Sequence, residues 1–243
     1  MKAARGGRGR RDTAKATPGG YVARYLQAVL DKDRGAASAA VVSMLDEGFD
    51  MISVFRILSE AQIEIGKLWE KGIIGISDEG FSTATTLECI AEVAVRFRRV
   101  RRETRGTALL STAEGEFHQV ALAMLKELLR ERGWGAEVLS HDAPLLDLLS
   151  DRSKKGRIDV ICFSVVMPAS LPPLVEVLDR IRTNPRFNGT KIIVGGPLFK
   201  SKAARSSLVD RATGTNLADH VSTDFVDALE YLDSLDPRLI PGK

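Results

Sequence analysis

The sequence predicts a chain in two parts, an all-α four-helix bundle followed by an α/β domain with a parallel sheet. Up to residue 104, apolar residues recur with helical spacing and no strand signal interrupts them. From residue 107 onward, short β-branched or apolar runs alternate with helical stretches, a pattern typical of βαβ units. A chain of 243 residues is long enough for both parts to bury a core.

The first part contains four predicted helices. The apolar stripe at i, i+3, i+4 and i+7 is clearest in the first, and Asp50 is a candidate N-cap of the third. The four helices are predicted over Tyr21–Leu30, over Gly35–Leu45, from Asp50 to Lys71, and from Ser77 through Val95. Short connections between helices of this length favour an antiparallel bundle.

The second part contains five predicted strands, the last of them weak. The strands are Thr107–Thr112, Ala136–Leu139, Asp159–Val165, Lys191–Val194 and His220–Val221. The helices between and after them are His118–Arg132, Leu145–Lys154, Pro173–Thr183, Lys202–Asp210 and Asp224–Leu232. Five such strands suit a flavodoxin-like sheet of order 2-1-3-4-5. The predicted domains are a disordered basic tail (1–20), the bundle (21–104) and the sheet domain (105–243).

Charge and cysteine content set the expected environment. The net charge of +3 comes from residues 1–20, which hold six basic side chains and one acid, so we expect direct contact with nucleic acid only through this tail. The only cysteines, Cys89 and Cys162, lie within apolar runs, which favours a reducing compartment. We see neither a secretory signal nor a membrane-length apolar run, and therefore expect a cytoplasmic protein.

The predicted topology brings three polar segments to one edge of the sheet. In an open parallel sheet, ligands bind beyond the carboxyl ends of the strands, where the strand order reverses. Glu116 and His118 follow the first strand, Ser164 ends the third, and Gly195–Gly196 follow the fourth. We therefore expect a ligand site between the first and third strands.

The motifs absent from the sequence narrow the class of ligand. The sequence has no G-x-G-x-x-G after the first strand, no P-loop, no H-E-x-x-H or C-x-x-C and no G-x-S-x-G. One histidine with a carboxylate and a hydroxyl provides too few ligands for a free metal ion. This set suits a metal already held by a macrocycle that needs one axial nitrogen.

At these positions the sequence resembles the signature of cobalamin-binding domains, D-x-H-x-x-G, S-x-[LT] and G-G. The corresponding residues are Glu116–Ala121 (E-x-H-x-x-A), Ser164 and Gly195–Gly196. Glu116 stands where the family has aspartate and Ala121 where it has glycine. The resemblance extends over residues 21–235.

The upstream helices resemble the four-helix cap that covers the upper face of the corrin ring in this family. The cap motif W-x9-E-H corresponds to Trp69, Glu79 and Gly80, with glycine in place of histidine. The resemblance implies that Trp69 packs over the upper face and that Glu79 lies in the upper pocket.

The resemblance also implies roles for the residues below the ring. His118 would be the lower cobalt ligand, displacing the dimethylbenzimidazole of the cofactor, while Glu116 accepts the other imidazole N–H and Ser164 extends that relay. The displaced nucleotide tail would enter a slot. The residues along the slot would be Ser164, Leu171, Gly195 and Gly196.

Three functions fit these features. The first is a cobalamin-binding regulatory protein, light- or redox-responsive, that signals through a partner such as a transcriptional regulator or by self-association as a homodimer. The second is a corrinoid methyl carrier of a methyltransferase system, although the loop VVMPASL lacks the threonine-rich run of carriers. The third is a haem-binding or cofactor-free sensor. No segment resembles a catalytic substrate domain, so the non-enzyme interpretation comes first. The upper cobalt ligand, adenosyl, methyl or hydroxo, is left open.

Overall fold

The computed structural model describes residues 17–98, 105–139, 143–210 and 213–235. The predicted basic tail up to residue 16, most of the arginine-rich linker and His141 lie outside the described residues. None of the described helices combines the length and the apolar character that crossing a membrane requires.

The first part is the predicted helical bundle. Its helices are α1 (Pro18–Leu30), α2 (Arg34–Asp46), α3 (Met51–Glu70) and α4 (Ile76–Phe97). Asp33 and Asp50 cap α2 and α3, each carboxylate accepting a backbone N–H of the first turn. Helix α1 begins at Pro18, earlier than predicted, because the Thr17 hydroxyl accepts the N–H of Gly20 as an N-cap. The four-helix prediction is confirmed.

The second part is a five-stranded parallel sheet of order β2-β1-β3-β4-β5, as predicted. The strands are β1 (Gly106–Thr112), β2 (Trp134–Val138), β3 (Val160–Ser164), β4 (Lys191–Gly195) and β5 (His220–Ser222). The helices are α5 (Val120–Glu131), α6 (Leu145–Lys155), α7 (Leu171–Thr183), α8 (Lys202–Ser206) and α9 (Phe225–Ser234).

Two apolar cores lie on the two faces of the sheet. Helices α5 and α9 cover one face, and their core is continuous with that of the bundle, joining Leu110 and Leu128 to Phe55. Helices α6, α7 and α8 cover the other face, around Phe163 and Leu178. Helix α5 packs against both α3 and α4, so it attaches the bundle to the sheet domain beside the loop that carries His118.

The described helices lie within three residues of their predicted bounds except at the end of α8, and two of the differences are informative. Helix α5 begins at Val120, so His118 lies in the preceding loop rather than in the helix. Helix α8 ends at Ser206 and not at Asp210, because the chain then turns back: Leu217 donates its N–H to the carbonyl of Leu208 at 2.8 Å. The later start of α5 matters for the site, because His118 then lies in the same loop as Glu116 and its imidazole contacts the Glu116 carboxylate.

Candidate functional site

The loop between β1 and α5 is fixed from both ends. Gly115 adopts a left-handed φ of +78°, which lets the chain turn sharply after β1. The Thr112 hydroxyl donates to the carbonyl of Glu116 at 2.7 Å, closing this turn. The Glu114 carboxylate accepts the N–H of Leu145, the first residue of α6, at 3.0 Å. The loop is therefore tied to its own strand and to a neighbouring helix.

Within this loop, Glu116 is buried, and both oxygens of its carboxylate form hydrogen bonds with other residues of the protein. The residue is 1% exposed. One carboxylate oxygen is in hydrogen-bond contact with Nδ1 of His118. The other accepts the backbone N–H of Val166 at 3.0 Å and that of Met167 at 2.8 Å, both in the loop after β3. Glu116 therefore links the loop after β1 to the loop after β3.

These contacts determine the protonation of the pair. Burial alone would raise the pKa of Glu116, but the hydrogen bonds from His118 and from the N–H groups of Met167 and Val166 outweigh it and lower the pKa to about 2. The hydrogen bond to Glu116 raises the pKa of His118 against the effect of burial, with further support from the charges of Glu116 and Glu79. The carboxylate stays ionised and keeps a proton on Nδ1.

His118 presents its other ring nitrogen outward. Its side chain is 42% exposed, and no described residue forms a hydrogen bond with Nε2. In the neutral form of the ring the proton is on Nδ1 and Nε2 carries a lone pair. The described residues contain no cluster of three potential metal ligands from histidine, cysteine, aspartate and glutamate. The site therefore offers a metal one nitrogen, and any other ligands must come from elsewhere.

A row of small and hydroxyl residues crosses the carboxyl edge of the sheet. Strand register pairs Thr112 with Ser164, Ser164 with Gly195, and Gly195 with Ser222. A Cβ on Gly195 would lie 2.5 Å from the hydroxyl of Ser222. The next residue, Gly196, has φ +136°, and a Cβ there would lie 2.0 Å from the carbonyl oxygen of Val165. Glycine is therefore required at both positions, because any side chain would clash with Ser222 or with Val165.

The three positions of the cap motif lie on the bundle side. Trp69, in the last turn of α3, is 38% exposed. Glu79, in the first turn of α4, accepts the Thr83 hydroxyl at 2.9 Å and lies within electrostatic range of His118. A Cβ on Gly80 would meet nothing within 4 Å. The structure thus brings the start of α4 towards the imidazole and leaves space beside it.

One predicted contact, from Ser164 to the Glu116 carboxylate, is not present in this arrangement. Among the described residues, the Glu116 carboxylate bonds to His118, Val166 and Met167, and Ser164 is not a partner. Leu171, the first residue of α7, packs against the core around Phe163. Sequence reasoning missed the two backbone donors, since an N–H group has no residue-type signature.

Comparison with known proteins gives two matches to B12-binding domains. A family model described as a B12 binding domain matches residues 106–221, and a second model with the same description matches residues 21–93. Together they cover the sheet domain and the bundle. The chain belongs to the two-domain B12-binding family. Cobalamin binding, expected from the sequence, is confirmed.

Individual relatives of this B12-binding protein are distant. It is 20% identical to trimethylamine corrinoid protein 1 of Methanosarcina acetivorans over 72% of this chain and 82% of the relative, and the values for the protein of that name from Methanosarcina mazei are the same. Its fold matches the structure of the monomethylamine corrinoid protein of Methanosarcina barkeri with a TM-score of 0.69 and 16% identity, over 90% of this chain and 100% of the other.

The residues present fit a corrinoid. A corrin supplies four equatorial nitrogens, so the protein must provide at most one ligand on a given face, and His118 offers one outward-facing nitrogen with its other nitrogen tied to a carboxylate. At Gly195 and Gly196 the backbone lies directly against Ser222 and Val165, so these two positions accept no side chain.

Proposed function

We propose that this chain is a corrinoid methyl carrier, which holds cobalamin and passes methyl groups between the other components of a methyltransferase system. The observation that carries the proposal is the single outward-facing imidazole of His118, held by the buried carboxylate of Glu116. The choice among corrinoid functions is supported by the relatives, which are trimethylamine and dimethylamine corrinoid proteins. They favour the carrier over the light-responsive transcriptional regulator that the sequence analysis placed first.

His118 is the residue that holds the cofactor from below. When bound, the corrinoid supplies a cobalt centre that accepts a methyl group and gives it up again. Nε2 of His118 can either coordinate the metal or take up a proton, but not both at once. Glu116 holds the proton on Nδ1, which would leave Nε2 as the nitrogen that could hold the cofactor, and its charge stabilises the imidazolium form of His118.

The nucleotide tail of the cofactor would be held along the row at the carboxyl edge of the sheet. Ser164 and Thr112 provide hydroxyl groups there, and Gly195 and Gly196 let the chain pass without side chains. Leu171, which packs against the core around Phe163, would be the fourth predicted residue along this tail.

The bundle covers the upper face. Trp69 would pack beside the macrocycle and Glu79 would lie near its edge, and Gly80 has no heavy atom within 4 Å of an added Cβ where the family motif has a histidine. Ile73 and Ile76 are strongly exposed at the turn between α3 and α4. This exposed apolar tip is where a methyltransferase partner would displace the cap to reach the upper face.

The test is methyl transfer to the loaded full-length chain. The protein is reconstituted with hydroxocobalamin, reduced with titanium(III), and treated with iodomethane, from which iodide leaves as the methyl group is accepted. We expect the absorption spectrum of the methylated cofactor, followed by its loss when a thiol acceptor and a methyltransferase fraction are added. A loaded protein that cannot be methylated, but changes its oligomer size on illumination, would contradict the proposal and favour the regulator.

A further inference from the structure

The buried carboxylate of Glu116 is held by backbone, not by a hydroxyl. Its second oxygen accepts two successive N–H groups, from Val166 and Met167. Ser164, which ends β3 and which the family pattern places in the relay, is buried but does not contact this carboxylate within the described part of the chain. The outer partner of the Glu116–His118 pair is therefore a pair of amides in the loop after β3.

This loop is itself anchored on both sides. The N–H of Val165 donates to the carbonyl of Gly195 at 2.8 Å, which ties the start of the loop to β4. The N–H of Ser170 donates to the carbonyl of Met167 at 3.0 Å, which closes the short 3-10 turn at Pro168–Ser170. The two donors are thus fixed in space before any ligand arrives, as a positioning role requires.

The reach of the side chain explains why glutamate stands at this position. An aspartate would place its carboxylate nearer to its own backbone by about 1.5 Å, the length of one C–C bond. The glutamate carboxylate already contacts His118 with one oxygen and both amides with the other at 2.8–3.0 Å. A shorter side chain can keep the imidazole or the amides, but not both groups.

We propose that the N–H groups of Val166 and Met167 are positioning groups of the cofactor site, which clamp Glu116 so that His118 directs Nε2 towards cobalt. This inference rests on the proposed role of His118 as the lower ligand. The loop after β3 takes the place of the serine as the outer member of the relay, and the geometry is matched to glutamate.

A proline at position 167 removes one donor without adding charge. Met167 has φ −89° and ψ 131°, extended values that a residue before Pro168 favours and that lie near the range of proline itself. Met167→Ala is the matched control, since it deletes the same side chain and keeps the N–H. Both variants are compared by spectral titration with hydroxocobalamin and by thermal unfolding of the unloaded protein.

We expect Met167→Pro to bind hydroxocobalamin about tenfold more weakly than Met167→Ala, a loss typical of a group that orients a metal ligand. The cobalt(II) form of Met167→Pro should show weaker splitting from an axial nitrogen in its electron paramagnetic resonance spectrum. Both differences should disappear in the His118→Ala background. Equal affinities of the two variants, or a difference that persists without His118, would overturn the inference.

Glu116→Asp provides the second test. It keeps the charge and restores the residue of the family pattern, so a relay through Ser164 predicts unchanged binding. Our inference predicts weaker binding and weaker nitrogen splitting, of the same order as for Met167→Pro; wild-type affinity would overturn it. These spectra are recorded with cobinamide, which lacks dimethylbenzimidazole. If His118→Ala kept the nitrogen splitting with cobinamide, the ligand assignment would fail. If only the Met167 and Glu116 variants behaved as wild type, the clamp alone would fail.

Discussion

The two sides of the cofactor site are built differently. On the sheet side, Glu116 is buried, every oxygen of its carboxylate is hydrogen-bonded, and a Cβ on Gly196 would strike backbone. On the bundle side, Trp69 is partly exposed, Ile76 is 71% exposed, and a Cβ on Gly80 would meet nothing. The sheet side is closely packed and rigid, whereas the bundle side is open and apolar.

This difference separates two requirements of a carrier. A metal ligand must be oriented before the cofactor binds, because each group that is ordered only on binding weakens affinity. The bundle that covers the upper face must be able to move away, and this movement costs less free energy when the bundle makes few specific contacts. We therefore expect cofactor affinity to depend on the sheet side and access to the upper face to depend on the bundle side.

Removal of the imidazole should give the largest effect. His118→Ala leaves no nitrogen below cobalt, and we expect hydroxocobalamin affinity to fall by about 100-fold, at the upper end of losses for metal-site variants. The axial-nitrogen splitting of the cobalt(II) form should disappear. His220→Ala is the matched control, since this histidine stacks on Tyr231 and bonds to Asp227 on β5 and α9. Retained splitting in His118→Ala would place the ligand elsewhere.

Adding one methyl group to each side tests the contrast in packing. At Gly196, alanine meets the carbonyl of Val165 in a left-handed conformation, and we expect a loss of about 2–3 kcal/mol in the free energy of unfolding. At Gly80, alanine meets open space inside a helix, so we expect a gain of about 0.5–1 kcal/mol. Urea unfolding of the unloaded protein measures both. Equal effects at the two positions would remove the contrast.

Much of the fold was predictable because its signals are local. Periodicity located four helices and five strands, and the loop lengths and alternation were enough to predict the parallel order. The pairing of Glu116 with His118 was predicted from the family resemblance, which rests here on two residues that are separated by one position in the sequence. These features depend on residue types that stand close together in the sequence.

Other features of the site depend on tertiary placement. The donors that hold Glu116 are backbone groups of Val166 and Met167, about fifty residues away, and every non-proline residue has such a group. Leu171 packs with residues of several other elements in one core, and such packing has no local signal in the sequence. Helix α5 begins at Val120 instead of at the predicted His118, and His118 contacts Glu116 in the loop before the helix.

The smallest expected effect concerns pH: acid should lower the stability contributed by a paired carboxylate in the sheet domain more than that contributed by a helix cap in the bundle. Burial would raise the pKa of Asp219, beside β4, but hydrogen bonds from Arg182, the N–H of Ile192 and Lys191 lower it below 3.8. Asp50 caps the exposed start of α3 in the bundle. Its pKa is lowered mainly by hydrogen bonds from the hydroxyl and the backbone N–H of Ser53, which are its hydrogen-bond donors. Asparagine caps a helix about as well as aspartate but cannot replace a paired charge.

We therefore expect Asp219→Asn to lower the free energy of unfolding at pH 7 by about 1 kcal/mol, discounted for partial exposure, and Asp50→Asn to change it by less than about 0.5 kcal/mol. A carboxylate with a lowered folded-state pKa contributes stability above its unfolded pKa and loses it as the pH falls through the folded value. The gap between wild type and Asp219→Asn should thus narrow as the pH falls towards the lowered folded-state pKa of Asp219. Urea titrations from pH 7 to pH 3 measure it, and a gap that widens in acid would show that Asp219 stabilises the sheet by some means other than its charge.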